Sequence, residues 1–84
     1  MTSDNKKRIL VVDDDEATLK SVVDELISQG YITSEARDGM EGLEKALNEK
    51  PDLILLDILM PKMNGFEVIR KLRNDVWGKN VPII

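Results

Sequence analysis

Two groups of residues in this chain have the types and spacing to do chemistry. One is the run Asp13-Asp14-Asp15, the other is Asp57, and each follows directly on a short apolar stretch, Ile9-Leu10-Val11-Val12 and Leu53-Ile54-Leu55-Leu56. The usual catalytic inventory is otherwise missing, because the 84 residues include no cysteine and no histidine. That excludes disulfide scaffolds, thiolate nucleophiles, His-containing triads and the usual zinc ligands. What remains is carboxylate, hydroxyl, amide and lysine chemistry. If the strands that carry the two acidic groups lie side by side, Asp13, Asp14 and Asp57 share one pocket. Like charges 4 Å apart repel by about 4 kcal/mol at an effective dielectric near 20, so such a cluster demands a proton or a cation. A site of oxygens with few protein ligands suits a hard, partly hydrated ion, Mg²⁺ with Mn²⁺ as a substitute.

A plainer role competes for part of the run. An acid just ahead of a helix accepts backbone N–H bonds and meets the positive end of the helix dipole. Asp15 is the member assigned to that role. Asp57 by itself reads as a loop residue after a strand. It is the combination of two acidic strand ends that points to a metal site.

The elements that position these acids follow from the apolar pattern. Ile9–Val12 is a continuous apolar run rich in β-branched residues, as expected of a strand buried on both faces. Leu19, Val22, Val23, Leu26 and Ile27 then recur at helical spacing, with Gly30 as the stop. Tyr31 to Ala36 is a second, less apolar strand suited to a sheet edge. Asp38 caps a second helix whose buried stripe is read as Met40, Leu43, Ala46 and Leu47, and Pro51 forbids its continuation. Leu53–Leu56 is the third strand, and Met60 to Gly65 is a loop. Phe66, Ile69 and Leu72 mark a third helix ending between Asp75 and Gly78, and Val81-Pro82-Ile83-Ile84 opens a fourth strand. Trp77 is expected to be partly buried. Met40, Met60 and Met63 are expected to fill core and loop space, and Lys62 and Lys79 to be solvated. The alternation β-α-β-α-β-α-β implies an α/β fold, an open doubly wound parallel sheet with right-handed crossovers. In such sheets functional groups gather beyond the carboxyl ends of the strands, where the winding reverses.

Composition limits the partners. Twelve Lys and Arg against sixteen Asp and Glu give a net charge of −4, which argues against direct, sequence-independent nucleic-acid binding. Lys6-Lys7-Arg8 is too short a basic run to change that. The longest apolar runs are four or five residues, far below the roughly 20 needed to span a membrane. No membrane partner is expected, and a cytoplasmic location is the default.

The motifs now in hand resemble the receiver domain of two-component response regulators. Val11-Val12-Asp13-Asp14-Asp15, then Asp57-Ile58-Leu59-Met60-Pro61, then Asn64-Gly65 match that family in order and spacing over essentially the whole chain. The resemblance implies a flavodoxin-like sheet of strand order 2-1-3-4. It makes Asp57 the phosphoacceptor, taking a phosphoryl group from a phosphohistidine on a sensor histidine kinase or histidine phosphotransfer protein. It further implies that Asp14 and Asp57 bind Mg²⁺, that Asp13 acts through water, and that the backbone carbonyl of Leu59 is another ligand. The family commonly has an aspartate where Asn64 stands.

The same resemblance makes residues 1–84 a partial receiver domain ending within strand four. The family's later Thr or Ser, its phosphate-contacting lysine, the last strand and the last helices are not in this stretch. From that follows the expectation of impaired switching, and of a homodimer or a complementing chain through the open strand-four edge and an apolar sheet face beside the first helix. Two rival functions stand beside the phosphoacceptor. An assembly fragment would keep the acids without being phosphorylated. A Mg²⁺-dependent aspartyl-phosphate phosphohydrolase needs a second acid two residues after its nucleophile, and here that position is Leu59. The expectation is therefore a switch and not an enzyme.

Overall fold

Three strands, β1 (Arg8–Val12), β2 (Ile32–Ala36) and β3 (Leu53–Leu56), alternate with three helices, α1 (Glu16–Ser28), α2 (Gly39–Glu49) and α3 (Gly65–Arg73), before a single 3₁₀ turn at Trp77–Lys79. The structure is a computed structural model that describes residues 6–60 and 63–84. The Pro61 and Lys62 readings lie outside the described residues. β1 is central, in the order β2-β1-β3, and both pairings are parallel. The register runs Val12 opposite Ala36 on one side and opposite Leu56 on the other. All three strands therefore end at the same level, and the residues that follow them share one rim.

The last residues occupy the fourth position of the expected 2-1-3-4 order, as a bridge and not a full strand. Ile83 pairs in parallel with Ile54. The Ile54 N–H donates to the Pro82 carbonyl at 3.0 Å, the Ile84 N–H to the Ile54 carbonyl at 2.9 Å, and the Leu56 N–H to the Ile84 carbonyl at 2.9 Å. Pro82 faces β3 yet has no N–H to return, so one rung of the ladder is lost there.

Alternation along β1 divides the core in two. Leu10 and Val12 point to a cluster with Ala36, Ala46, Ile54, Val68 and Leu72, on the side of α2 and α3. Ile9 and Val11 point to a smaller cluster with Leu19 and Val23 of α1, against which Leu53 and Leu55 pack only half-buried. One helix covers one face and two cover the other.

Each helix starts on a side-chain cap. Asp15, Asp38 and Asn64 accept from the N–H groups of Thr18, Glu41 and Glu67, as residues with short polar side chains do at this position. Asp15 and Asp38 act as their sequence positions implied. Gln29 caps the end of α1, and Gly30 follows with φ of +96°.

The buried stripes differ from those expected. In α2 the fully buried residues are Gly39, Gly42 and Ala46, and in α3 they are Gly65, Val68 and Leu72. Both sets follow i, i+3, i+7 from a glycine. Gly42 lets α2 lie close against Val12 of β1 and Gly65 lets α3 start close against Ile58, and this turns Met40 (53% exposed) and Phe66 (66% exposed) outward. Leu43, Leu47 and Ile69 pack at the margins of the larger core. In α1 the contact with the sheet is narrower than the apolar stripe, which leaves Ile27 at 55% exposure. Met60 is buried, Met63 and Trp77 are half-buried against the core, and Lys79 is exposed.

Side-chain ties fasten the frame. Arg37 donates to Glu16 at 2.7 Å and to Glu35 at 3.0 Å, linking β2 to the first turn of α1. One nitrogen of Arg73 donates to the carbonyls of Gly78, Lys79 and Val81, holding the chain as it approaches Ile83. On β2 the N–H of Ile32 donates to Lys7 and the carbonyl of Ala36 accepts from Asp13, so alternate residues face β1 and Glu35 faces away from it. The outward carbonyl of Glu35 accepts from the Lys45 ammonium of α2.

Candidate metal centre

The shared rim brings the acids together. Asp13 continues β1, and its N–H donates to Ala36 at the end of β2. Asp57 continues β3, and its N–H donates to Val12 at the end of β1. These rungs fix both residues on either side of the β1–β3 seam. One carboxylate oxygen from each of Asp13, Asp14 and Asp57 lies within 4.8 Å of the other two. Asp13 and Asp57 are half-buried and Asp14 is exposed. Asp15 turns away to cap α1, where its carboxylate accepts from both the N–H and the hydroxyl of Thr18. The triplet thus divides as the sequence suggested, with two residues facing Asp57 and one facing the helix.

Local backbone bonds orient the carboxylates. Oδ1 of Asp13 accepts from the Asp15 N–H at 2.9 Å, and Oδ1 of Asp57 accepts from the Leu59 N–H at 3.1 Å. The loop after Asp57 is drawn in by the Ile58 carbonyl, which accepts from Gly65 at 2.8 Å and Met60 at 3.2 Å. Gly65 is required at this close approach, because a Cβ there would come within 2.6 Å of the Ile58 Cα and 3.1 Å of the Asp57 carbonyl oxygen. Leu59 projects outward, 85% exposed.

Burial pushes the Asp13 carboxyl above its ordinary value, and the charges of Asp57, Asp14 and Asp15 push it the same way, against the lowering effect of the Asp15 amide. The cluster therefore carries unrelieved like charge. Its donors are hard oxygens, and it opens into a cavity of about 410 Å³ bounded by Val11, Val22, Leu55 and Ile84. That donor set fits a hard, partly hydrated divalent cation and offers nothing to a soft one.

Residues 9–84 match the sequence family described as the response regulator receiver domain. The chain belongs to that family. Among relatives of this receiver domain, the response regulator PleD of Caulobacter vibrioides is 44% identical over 77 residues, covering 92% of this chain and 17% of its own. The response regulator MprA of Mycobacterium ulcerans is also 44% identical over 77 residues, with 92% and 32% covered. Among solved structures, the chemotaxis response regulator CheY4 of Vibrio cholerae superposes with a TM-score of 0.90 at 35% identity, over 94% of this chain and 66% of that one. The receiver domain of sensor histidine kinase PA1611 from Pseudomonas aeruginosa, described with a magnesium ion coordinated in the active site cleft, gives 0.89 at 29% identity over 93% and 64%. The receiver chain here thus spans a third or less of these two curated relatives and about two thirds of the solved chains. The parallel sheet with β1 between β2 and β3 is the flavodoxin-like arrangement of those neighbours.

Asn64 caps α3 by accepting from the Glu67 N–H, a role that either asparagine or aspartate can fill. Sequence reasoning missed the Arg37 and Arg73 ties. Their partners are scattered along the chain and carry no periodic signal. No helix among the described residues is long and apolar enough to cross a membrane.

Proposed function

We propose that this receiver domain accepts a phosphoryl group on Asp57 from a phosphohistidine of a sensor histidine kinase or histidine phosphotransfer protein, with Mg²⁺ (or Mn²⁺) held in the acidic pocket. The observation that carries the reading is the convergence of Asp13, Asp14 and Asp57, whose carboxylate oxygens come within 4.8 Å although 57 − 13 = 44 positions separate the outer two. Asp57 is the nucleophile: a carboxylate oxygen attacks phosphorus, the phosphorus–nitrogen bond breaks, and the imidazole keeps the electron pair and takes a proton. Leu59 N–H holds the other oxygen and fixes the carboxylate plane. Asp14 and Asp57 would hold the cation directly, Asp13 would act on it through water, and the Leu59 carbonyl would be a further ligand. When bound, the cation screens the repulsion between the carboxylate and the incoming phosphoryl oxygens.

Phosphorylation adds charge beside Ile58 and the outward-facing Leu59, and that segment is the element such a change can move. No histidine exists to activate water, and Leu59 stands where a phosphohydrolase of this chemistry needs its second acid. The domain therefore acts as an acceptor and switch, not a turnover enzyme. The half-buried Leu53 and Leu55 on the α1 side of the sheet support contact with a second copy or another polypeptide there.

The test is to incubate the chain with acetyl phosphate or beryllofluoride, with and without Mg²⁺, beside Asp57→Asn. Mg²⁺-dependent modification of the parent and none of the variant is the expected result. Equal behaviour of the two would replace the reading with that of an assembly module.

A further inference from the structure

A second groove lies between α2 and the start of α3 and shares no lining residue with the acidic pocket. It measures roughly 550 Å³ and is lined by Asp38, Met40, Glu41, Glu44, Met63 and Glu67. Its apolar part is the pair Met40 and Met63, one on α2 and one on the loop leading to α3. The first is more than half exposed, although nothing in the chain's own core needs it there. The two walls are held at a fixed distance by a close contact: a Cβ on Gly39 would meet the Met63 carbonyl oxygen, so only glycine lets the loop rest on α2.

Around this apolar floor the rim is acidic. Four carboxylates line it, and no lysine or arginine does so among the described residues. Lys45 approaches Glu41 at 3.6 Å and offsets one of the four. Asp38 is committed to capping α2, and Glu41 accepts from the Arg37 N–H. Glu44 and Glu67 remain to meet a partner. Methionine side chains adapt to apolar groups of varied shape, and charge at the rim governs which partner approaches.

We propose that this groove docks a basic amphipathic segment of a partner protein, with one aliphatic or aromatic side chain between Met40 and Met63 and flanking lysines or arginines against Glu44 and Glu67. A second copy presenting the same groove does not fit, because that apposition places acids against acids. Nor does the proposal depend on phosphoryl transfer. The groove does share a wall with the acceptor loop, since Met63 leads into Gly65, which packs on Asp57 and Ile58.

The probe is a short amphipathic peptide of leucine and lysine, titrated into the isotopically labelled 84-residue chain and followed by amide chemical shifts, beside a lysine–glycine peptide of equal charge. Shifts confined to residues 38–44 and 63–67, and weaker binding of the lysine–glycine peptide, are expected. Affinity should fall at least about fivefold in the Glu44→Lys/Glu67→Lys variant, the direction expected of reversed rim charge. Met40→Ser, which changes an exposed side chain only, should weaken the leucine–lysine peptide and leave the lysine–glycine peptide unaffected, so the proposal stays testable if the double variant fails to fold. Three results would overturn it: no response to the peptide; shifts centred on residues 13–15 and 57 that vanish in Asp57→Asn; or the same groove shifts produced by raising the protein concentration alone, which would make the occupant a second copy.

Discussion

Replacing Asp57 with asparagine should make the metal-free protein more stable and, at the same time, deaf to Mg²⁺. The size of the effect comes from the carboxylate cluster. Oxygens at the outer limit of 4.8 Å repel by about 1 kcal/mol per pair in bulk water and about 3.5 kcal/mol at an effective dielectric of 20. Asp14 is exposed and the pocket mouth is open, so the lower figure applies. Asp57 faces two partners, which makes the relief about 2 kcal/mol without metal. Asparagine retains Oδ1 and can keep the bond from Leu59, so little is lost in exchange. For a domain of this size, about 2 kcal/mol corresponds to a rise in melting temperature of roughly 8–16 °C. In the parent, Mg²⁺ at ten times its dissociation constant should add about 1.4 kcal/mol. The assay is thermal unfolding followed by circular dichroism at low ionic strength, for both proteins, with and without Mg²⁺. An Asp57→Asn protein that melts below the metal-free parent, or that gains as much from Mg²⁺ as the parent does, would refute the argument. Added monovalent salt should shrink the difference between the metal-free proteins, because screening acts on the same repulsion.

Three further outcomes follow from contacts elsewhere. Thr18 holds the Asp15 carboxyl below its ordinary 3.8, and Arg37 holds Glu16 below its ordinary 4.5. The stability they contribute is present above those values and is lost as pH falls through the depressed ones. Asp13, raised chiefly by burial, works in the opposite direction, so Glu16→Gln should visibly flatten the acid limb of a plot of melting temperature against pH, and an unchanged limb would discount the Arg37 tie. Gly65→Ala places a Cβ 2.6 Å from the Ile58 Cα, which should cost about 1–3 kcal/mol and weaken the Mg²⁺ response by displacing Asp57; a variant matching the parent in urea unfolding and Mg²⁺ titration would show that the loop yields freely. Arg73→Met removes the donor shared by three carbonyls and should cost about 1.5–3 kcal/mol, with Trp77 fluorescence reporting the loosened turn; unchanged emission and stability would mean that water replaces the guanidinium.

The acidic pocket was legible because two independent signals agreed. The apolar runs ending at Val12 and Leu56 identify strand ends, and parallel pairing puts consecutive strand ends on one rim, so Asp13 and Asp57 had to be near one another once β1 and β3 were neighbours. The caps at Asp15 and Asp38 were legible for the same local reason, a short acidic side chain just ahead of an amphipathic run. The exposure of Met40 and Phe66 was not. A periodicity argument assigns the largest apolar residues to the core, whereas Gly42 sets α2 against Val12 of β1, Gly39 sets it against Met63, and Gly65 sets α3 against Ile58, and that depends on distances between elements. The Arg37 bridge was hidden for a related reason, since Glu16 becomes its neighbour only after β2 has docked beside β1.

The Lys45 ammonium has a consequence beyond local geometry. Parallel strands with open outer carbonyls are where identical chains stack into cross-β fibrils, and β2, whose far side meets no other strand, is such a place among the described residues. By occupying the outward oxygen of Glu35, Lys45 puts a charge where an incoming strand would have to offer an N–H. A polymer growing from that flank would have to bury or expel the charge first. The lysine thus opposes edge-to-edge growth.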